Sequence, residues 1–223
     1  MTLEQEIIEQ VVRLVLEELQ GTRRLQDFGE QAAVSGAFLR ETGEAQKGAD
    51  VKEVVIALGP AYGTVIKRTI GGLDHRKVLR EIQAGIEEEG MRSRIVKVYN
   101  TSDVAFIGKA GAALSGSGFS IGLQSKGTAL IHQRDLYPLT NIELYPQAPL
   151  IDMAMYRDIG KNAARYAKGL SVTPLTTKND PNIRAKYQVK AALMHTRETE
   201  LVDRKAPTME VELIDTPGKE GGR

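Results

Sequence analysis

The sequence predicts an α/β fold built on a mixed β-sheet. A β-branched run at 53–58, an amphipathic stretch at 74–90 and a second β-branched run at 94–99 follow in the order strand, helix, strand. That order is typical of a parallel βαβ unit with a right-handed crossover. Residues 120–124 and 128–132 are separated by a short glycine-containing turn, which indicates an antiparallel hairpin in the same sheet.

Composition excludes several classes of function. Thirty Lys and Arg against 29 Asp and Glu leave a net charge of +1, so no overall field attracts nucleic acid or an anionic membrane. The absence of cysteine excludes disulfides, thiolate catalysis and Cys-ligated metals, and it favours a reducing bacterial cytoplasm. No apolar run reaches the roughly twenty residues of a membrane span. We therefore expect a soluble protein with no nucleic-acid partner, no membrane partner and no metal site of its own.

Four segments are expected along the chain. Residues 1–20 form an amphipathic helix, because apolar side chains recur every three or four positions from Leu3 to Leu19. Residues 21–50 have the composition of a linker, 51–214 form the α/β domain, and 215–223 form a disordered tail. The alternative for the first segment is a core helix of the same domain.

The first half of the domain shows clear boundary signals. The run 53–58 reads as a strand buried on both faces and ends at Gly59-Pro60. Asp74 caps the following helix, which closes at Gly90. After the second strand, Asp103 lies at the start of a helix that runs to Leu114.

The second half is less regular. After the hairpin, three prolines between 137 and 149 indicate a surface loop, and apolar spacing predicts a helix over 153–168. Residues 171–181 read as a linker. The runs 187–195 and 209–214 are predicted to be terminal strands.

Residues 114–128 are the most unusual stretch of the chain. They combine four glycines, several hydroxyl side chains and the single lysine Lys126. Glycines let a backbone approach a ligand closely, while N–H groups, hydroxyls and an ammonium can bind phosphate or amide oxygens. The spacing fits neither the phosphate-binding loop of nucleotide hydrolases nor the dinucleotide fingerprint. A glycine-rich hairpin without a ligand is the alternative.

Six segments in a fixed order carry a resemblance to a known family. They are GIEEEG at 85–90, SDVAF at 102–106, the stretch 115–128, IHQ at 131–133, YPQAPL at 145–150 and IGKNAARYA at 159–167. Together they resemble the medium subunit of adenosylcobalamin-dependent diol and glycerol dehydratases, over roughly residues 38–214.

The resemblance implies a three-layer α/β/α domain with a mixed, mostly parallel sheet. It implies a dimer of heterotrimers, with two copies each of large, medium and small subunits. Adenosylcobalamin would lie between this chain and a large-subunit barrel that carries the substrate site and its metal ion. Radical dehydration of 1,2-propanediol, or of glycerol, to an aldehyde and water would begin with cobalt–carbon homolysis. No catalytic residue would then lie on this chain.

The resemblance also assigns candidate cofactor-binding residues. Asp103 and Lys126 match family positions that face the cobalamin, and Thr128 lies beside Lys126 as a hydroxyl partner. The remaining candidates flank the same motifs and could bond peripheral amides: Ser117, Ser125 and Gln147. Helix capping is the alternative role of Asp103.

Further partners follow from the same resemblance. Residues 1–20 resemble in character the helical extensions that direct diol dehydratases into a protein shell, so a bacterial microcompartment is the expected location, and a reactivating factor is an expected partner. One rival is the small subunit of that reactivating factor, a subunit-exchange chaperone. A free-standing ligand-binding α/β domain is the second rival.

Overall fold

A computed structural model describes residues 38–214 of the chain. Within this range the chain forms seven strands, four α-helices and one short 3-10 turn. The strands are β1 Leu39–Glu44, β2 Glu53–Leu58, β3 Arg92–Lys97, β4 Phe119–Leu123, β5 Ala129–Gln133, β6 Glu143–Tyr145 and β7 Met209–Leu213. The helices are α1 His75–Glu88, α2 Val104–Leu114, α3 Met153–Ala167 and α4 Pro181–Thr199, and the 3-10 turn is Ala148–Leu150.

All seven described strands belong to one sheet, in the order β1-β7-β3-β2-β4-β5-β6. The prediction of a mixed sheet is confirmed, because β3, β2 and β4 are parallel neighbours and the other pairs are antiparallel. The prediction that the sheet is mostly parallel is wrong. Only two of the six described pairings are parallel, since a hairpin extends one side and β7 returns antiparallel between β1 and β3.

The sheet separates two apolar layers. Val54, Ile56 and Leu58 of β2 pack with α1 and α3 on one face, whereas Val55 and Ala57 pack with α2 on the other. Alternate side chains of a strand point to opposite faces, so β2 must be apolar at every position from Val54 to Leu58. The three-layer α/β/α arrangement is confirmed.

Most of the predicted elements are confirmed. The strand 53–58, the helix capped by Asp74, the strand that follows it and the hairpin of β4 with β5 are all present. The helix α3 and the strand β7 also match their predicted positions. Patterns of period two and three to four, closed by capping residues, were sufficient for these elements.

The predicted linker 21–50 is wrong at its end, because residues 39–44 form strand β1. This strand pairs antiparallel with β7, about 170 positions later in the chain, at an edge of the sheet. Most of its side chains are exposed, so it carries no apolar alternation that sequence reasoning could detect.

Two other predictions fail in the second half. Residues 187–195 lie inside helix α4 rather than a strand; Asp180 caps this helix and Pro181 occupies its first turn. Aspartate followed by proline is a helix-start signal that the sequence did contain. The predicted loop 137–149 includes the short strand β6 and the beginning of the 3-10 turn.

The helix predicted over residues 1–20 and the tail 215–223 lie outside the described residues. Among the described helices, none is long and apolar enough to cross a membrane.

Candidate binding site at the carboxyl edge of the sheet

The carboxyl ends of β2, β3 and β4 meet at one edge of the sheet because these strands are parallel neighbours. Helices α1 and α2 both begin near this edge and pack on opposite faces. In open α/β sheets, ligands bind just outside the carboxyl ends of the strands. They do so where the helices that follow two neighbouring strands pack on opposite faces of the sheet. The turn 125–127 and the N-terminus of α2 both lie here.

The turn 125–127 is held by three hydrogen bonds to its carbonyl groups. His75 Nε2 donates to Ser125 O at 2.9 Å, Ile70 N donates to Lys126 O at 2.9 Å, and the Tyr156 hydroxyl donates to Gly127 O at 2.7 Å. Every carbonyl of the turn is therefore bound. The backbone that carries Lys126 is fixed before any ligand arrives.

Gly127 is required by this geometry. Its φ is +100°, and a Cβ built on it would lie 2.7 Å from the Tyr156 hydroxyl. Both the left-handed backbone and the close contact exclude a larger residue. The glycine-containing turn predicted for this hairpin is therefore confirmed.

His75 is a buried neutral imidazole. Its Nδ1 accepts a hydrogen bond from Gly63 N at 3.1 Å, so the proton lies on Nε2, which donates to Ser125 O. Its ring stacks on Tyr62 with centroids 3.7 Å apart. Burial lowers the pKa of His75 from 6.5 to about 3. This residue is a structural support of the turn.

Lys126 is half-buried and belongs to a cluster of charged and titratable groups. Burial lowers the pKa of its ammonium, whereas attraction to Glu198 and Asp103 acts in the opposite direction. His195 of α4 also interacts with Lys126 and Asp103. Its pKa is lowered, mainly by partial burial and to a smaller extent by repulsion from Lys126. The cluster therefore brings together two carboxylates, an ammonium and an imidazole.

Asp103 is the N-cap of α2. Its Oδ1 accepts from Ala105 N at 2.7 Å and from Phe106 N at 3.4 Å. The residue is otherwise exposed, and its charge acts on Lys126 by raising the pKa of that ammonium. Capping and ligand contact are compatible at this position, because a carboxylate accepts several hydrogen bonds.

Thr128 contains an orphaned polar atom. The residue is 5% exposed, and its Oγ1 has no hydrogen-bond partner within the described part of the chain. Its carbonyl accepts from Gln124 N at 3.0 Å, which closes the hairpin turn around Lys126. A buried hydroxyl without a partner is costly, and Thr128 Oγ1 shares this state with Asn141 Oδ1 among the buried side-chain atoms of the described residues.

Ser125 and Gln147 lie at the same edge, but their polar atoms are used within the chain. Ser125 Oγ donates to Glu198 at 2.7 Å. Gln147 donates to Asn179 Oδ1 at 2.7 Å and accepts from Asp180 N at 3.0 Å. Both side chains therefore fix neighbouring segments in place.

Ser117 lies at the opposite edge of the sheet, before β4 begins. Its Oγ lies 3.2 Å from Ser115 Oγ and accepts from Phe119 N at 3.2 Å. The whole length of β4 separates it from Lys126. The stretch 114–128 is thus divided between two edges of the sheet and does not form one continuous surface.

Sequence reasoning missed several groups that lie at this edge. Glu198 and the exposed His195 lie on α4, of which residues 187–195 are predicted as a strand, and no local pattern marks the buried His75. Lys97 is 2% exposed at the end of β3 and donates to Tyr62 O at 3.1 Å. The only sequence signal for the buried position of Lys97 is that a lysine stands at the end of an apolar strand. Within the described residues no group of three His, Asp or Glu side chains could hold a metal ion.

Fold and site together define an α/β protein with a candidate ligand-binding surface at the carboxyl edge of its sheet. Residues 59–173, just over half of the 223 residues, match the family described as the dehydratase medium subunit. The chain belongs to this family, as its sequence motifs predicted.

Two solved structures match part of the chain. One is described as glycerol dehydratase reactivase, with 19% identity and a TM-score of 0.45, covering 54% of this chain and 95% of that one. The other is a diol dehydratase-reactivating factor complexed with ADP and Mg2+, with 21% identity and a TM-score of 0.43, covering 54% and 96%.

Proposed function

We propose that this chain is the medium subunit of a coenzyme-dependent diol dehydratase and forms one side of its adenosylcobalamin site. Membership of the dehydratase medium subunit family supports the class of complex. The observation that carries the binding role is the orphaned hydroxyl of Thr128 beside the half-buried Lys126, on a turn whose carbonyls are all bound.

The side chains at the edge fit the polar periphery of a corrinoid. Lys126 would donate to a phosphate or amide oxygen, Asp103 would accept from amide N–H groups, and Thr128 Oγ1 would gain its missing partner. Ser125 and Gln147 would position these groups, since their own polar atoms are used within the chain. Ser117 would take no part, because it lies at the opposite edge of the sheet.

The coenzyme supplies the radical chemistry when bound, by homolysis of its cobalt–carbon bond. This chain would bind and orient it, while the large subunit would carry the catalytic residues and the substrate-site metal ion. The reaction we propose for the complex is dehydration of 1,2-propanediol to propionaldehyde, with glycerol as a second substrate.

The proposed complex is a dimer of heterotrimers with large and small dehydratase subunits, served by a reactivating factor. Residues 1–20, through an acidic amphipathic pattern, would bind shell proteins of a bacterial microcompartment.

Co-expression with candidate large and small dehydratase subunits tests the proposal. We expect the three chains to copurify as one assembly that retains cobalamin through gel filtration. The small subunit of a reactivating factor would instead exchange onto the complex transiently and without cobalamin, and a free-standing binding domain would bind its ligand as an isolated chain. Either result would contradict the proposal.

A further inference from the structure

A buried carboxylate joins α4 to the turn that carries Lys126. Glu198 is 1% exposed, and its Oε1 accepts from Ser125 Oγ at 2.7 Å and from Ser125 N at 3.1 Å. Both donors belong to the residue immediately before Lys126. Among the described residues of α4, only Glu198 is buried. Its contact with Ser125 therefore anchors a helix whose other side chains are partly or fully exposed.

Gly59 provides the space for this carboxylate at the end of β2. A Cβ built on Gly59 would lie 2.1 Å from Glu198 Oε1 and 3.3 Å from Ile107 Cδ1. Its backbone is outside the left-handed region, so alanine would fit the chain conformation but would displace the carboxylate. Three distant segments therefore meet at one buried acid.

The pKa of Glu198 is raised, and burial and the neighbouring polar groups act on it in opposite directions. Burial raises the pKa of this carboxyl, while hydrogen bonds from Ser125 and attraction to Lys126 and Lys97 oppose that effect. When it is ionised, this carboxylate holds Ser125 firmly, because hydrogen bonds to a charged acceptor are the stronger kind. The same attraction acts on the Lys126 side chain itself.

We propose that Glu198 is a positioning residue of the coenzyme site: its carboxylate holds Ser125, aims the Lys126 ammonium and anchors α4 beside it. The effect of Glu198 on coenzyme binding rests on the proposed function. The hold of Glu198 on the turn is a property of this chain alone.

Two substitutions remove the carboxylate from its site by independent routes. Glu198→Gln removes its charge, and Gly59→Ala displaces it without altering Glu198, Ser125 or Lys126. Gly71→Ala is the matched control, because its nearest neighbour atoms would lie 3.6 Å away and its φ is also outside the left-handed region.

Hydrogen exchange of the full-length chain gives a readout that is independent of activity. We expect the amides of 124–128 to exchange about tenfold faster in Glu198→Gln and in Gly59→Ala, and at the normal rate in Gly71→Ala. In the reconstituted complex, the coenzyme concentration for half-saturation should rise about 3- to 10-fold in both variants, with kcat at saturating coenzyme retained.

A double variant tests whether Glu198 acts through Ser125. Combining Glu198→Gln with Ser125→Ala should weaken coenzyme binding by less than the sum of the two single changes, because both weaken the contact between Ser125 Oγ and Glu198. Fully additive effects would overturn the inference.

The remaining outcomes separate the two proposals. Normal exchange and normal half-saturation in both variants, with a clear effect of Lys126→Ala, would overturn the positioning role and leave the proposed function standing. Faster exchange in both variants, with no effect of Lys126→Ala on coenzyme binding, would support the claim that Glu198 fixes the turn 125–127. The same result would contradict the proposal that this edge binds the coenzyme.

Discussion

His75 shows how a single buried residue prepares the site. Its imidazole donates to the carbonyl of Ser125 and accepts from Gly63 N, so it links the loop after β2 to the turn after β4. The contact with Gly63 N is impossible for an imidazolium, because Nδ1 must accept it, whereas the donor contact to Ser125 O would remain. The neutral state is therefore part of the fold.

This residue gives a pH dependence to stability. The pKa of His75 is about 3 in the folded chain and 6.5 in the unfolded chain, so between these values the unfolded state binds the additional proton. Its contribution is complete above about pH 6.5, and it decreases by up to about 1.4 kcal/mol per pH unit as the pH falls. Urea unfolding of the wild type and His75→Gln should show this difference in slope, and parallel pH profiles would contradict it.

Contacts between residues were the part of the site that sequence could not predict. Glu198 and Ser125 are 73 positions apart, and nothing in either local sequence indicates the other. Asp103 and Lys126, in contrast, were found because family motifs mark their positions. Thr128 is a candidate in the sequence only as their neighbour. Its unpaired hydroxyl could be recognised only from the structure, which shows that the residue is buried.

At the scale of elements, α2 brings its N-terminus to the carboxyl edge of the sheet. Asp103 caps it through two backbone N–H groups, and the partial positive charge of a helix N-terminus favours a carboxylate there. Helix capping and proximity to Lys126 thus depend on the same side chain.

Two substitutions should separate these roles of Asp103. Asparagine caps helices about as well as aspartate, so Asp103→Asn should change the free energy of unfolding little, whereas Asp103→Ala should lower it by about 1 kcal/mol. Both should weaken coenzyme binding, because both remove the charge. Denaturant titration and coenzyme titration measure the two effects, and unchanged coenzyme binding in both variants would leave Asp103 with its capping role alone.

Elements were predictable where burial imposes a period on the sequence. Strand β2 is buried on both faces and helix α1 on one, so each carries its pattern in its own residues. Strand β1 and helix α4 are mostly exposed, and their positions depend on distant partners. Their sequences therefore carry little of the apolar periodicity from which a strand or a helix can be predicted.

On the scale of the whole molecule, three parallel strands bring distant segments together. The loops after β2, β3 and β4 supply Gly59, Asp103 and Lys126, and α4 adds Glu198 from near the end of the described chain. The edge has both donors and acceptors and little net charge, as a ligand with many amides would require.

The role proposed for residues 1–20 also belongs to this scale. Deleting them should release the assembled complex from its shell while coenzyme binding and turnover persist, because the candidate site lies within residues 59–198. Co-sedimentation with purified shells measures encapsulation. Continued encapsulation of the truncated complex would contradict the proposed targeting role.

Coenzyme titration of the reconstituted complex with Lys126→Ala tests the central claim most directly. A charge-assisted hydrogen bond contributes about 1.5–3 kcal/mol, so the half-saturating concentration should rise about 10- to 100-fold with assembly intact. Lys52→Ala, an exposed change at the opposite edge of the sheet, should have no effect. Wild-type affinity in Lys126→Ala would show that this edge does not contact the coenzyme.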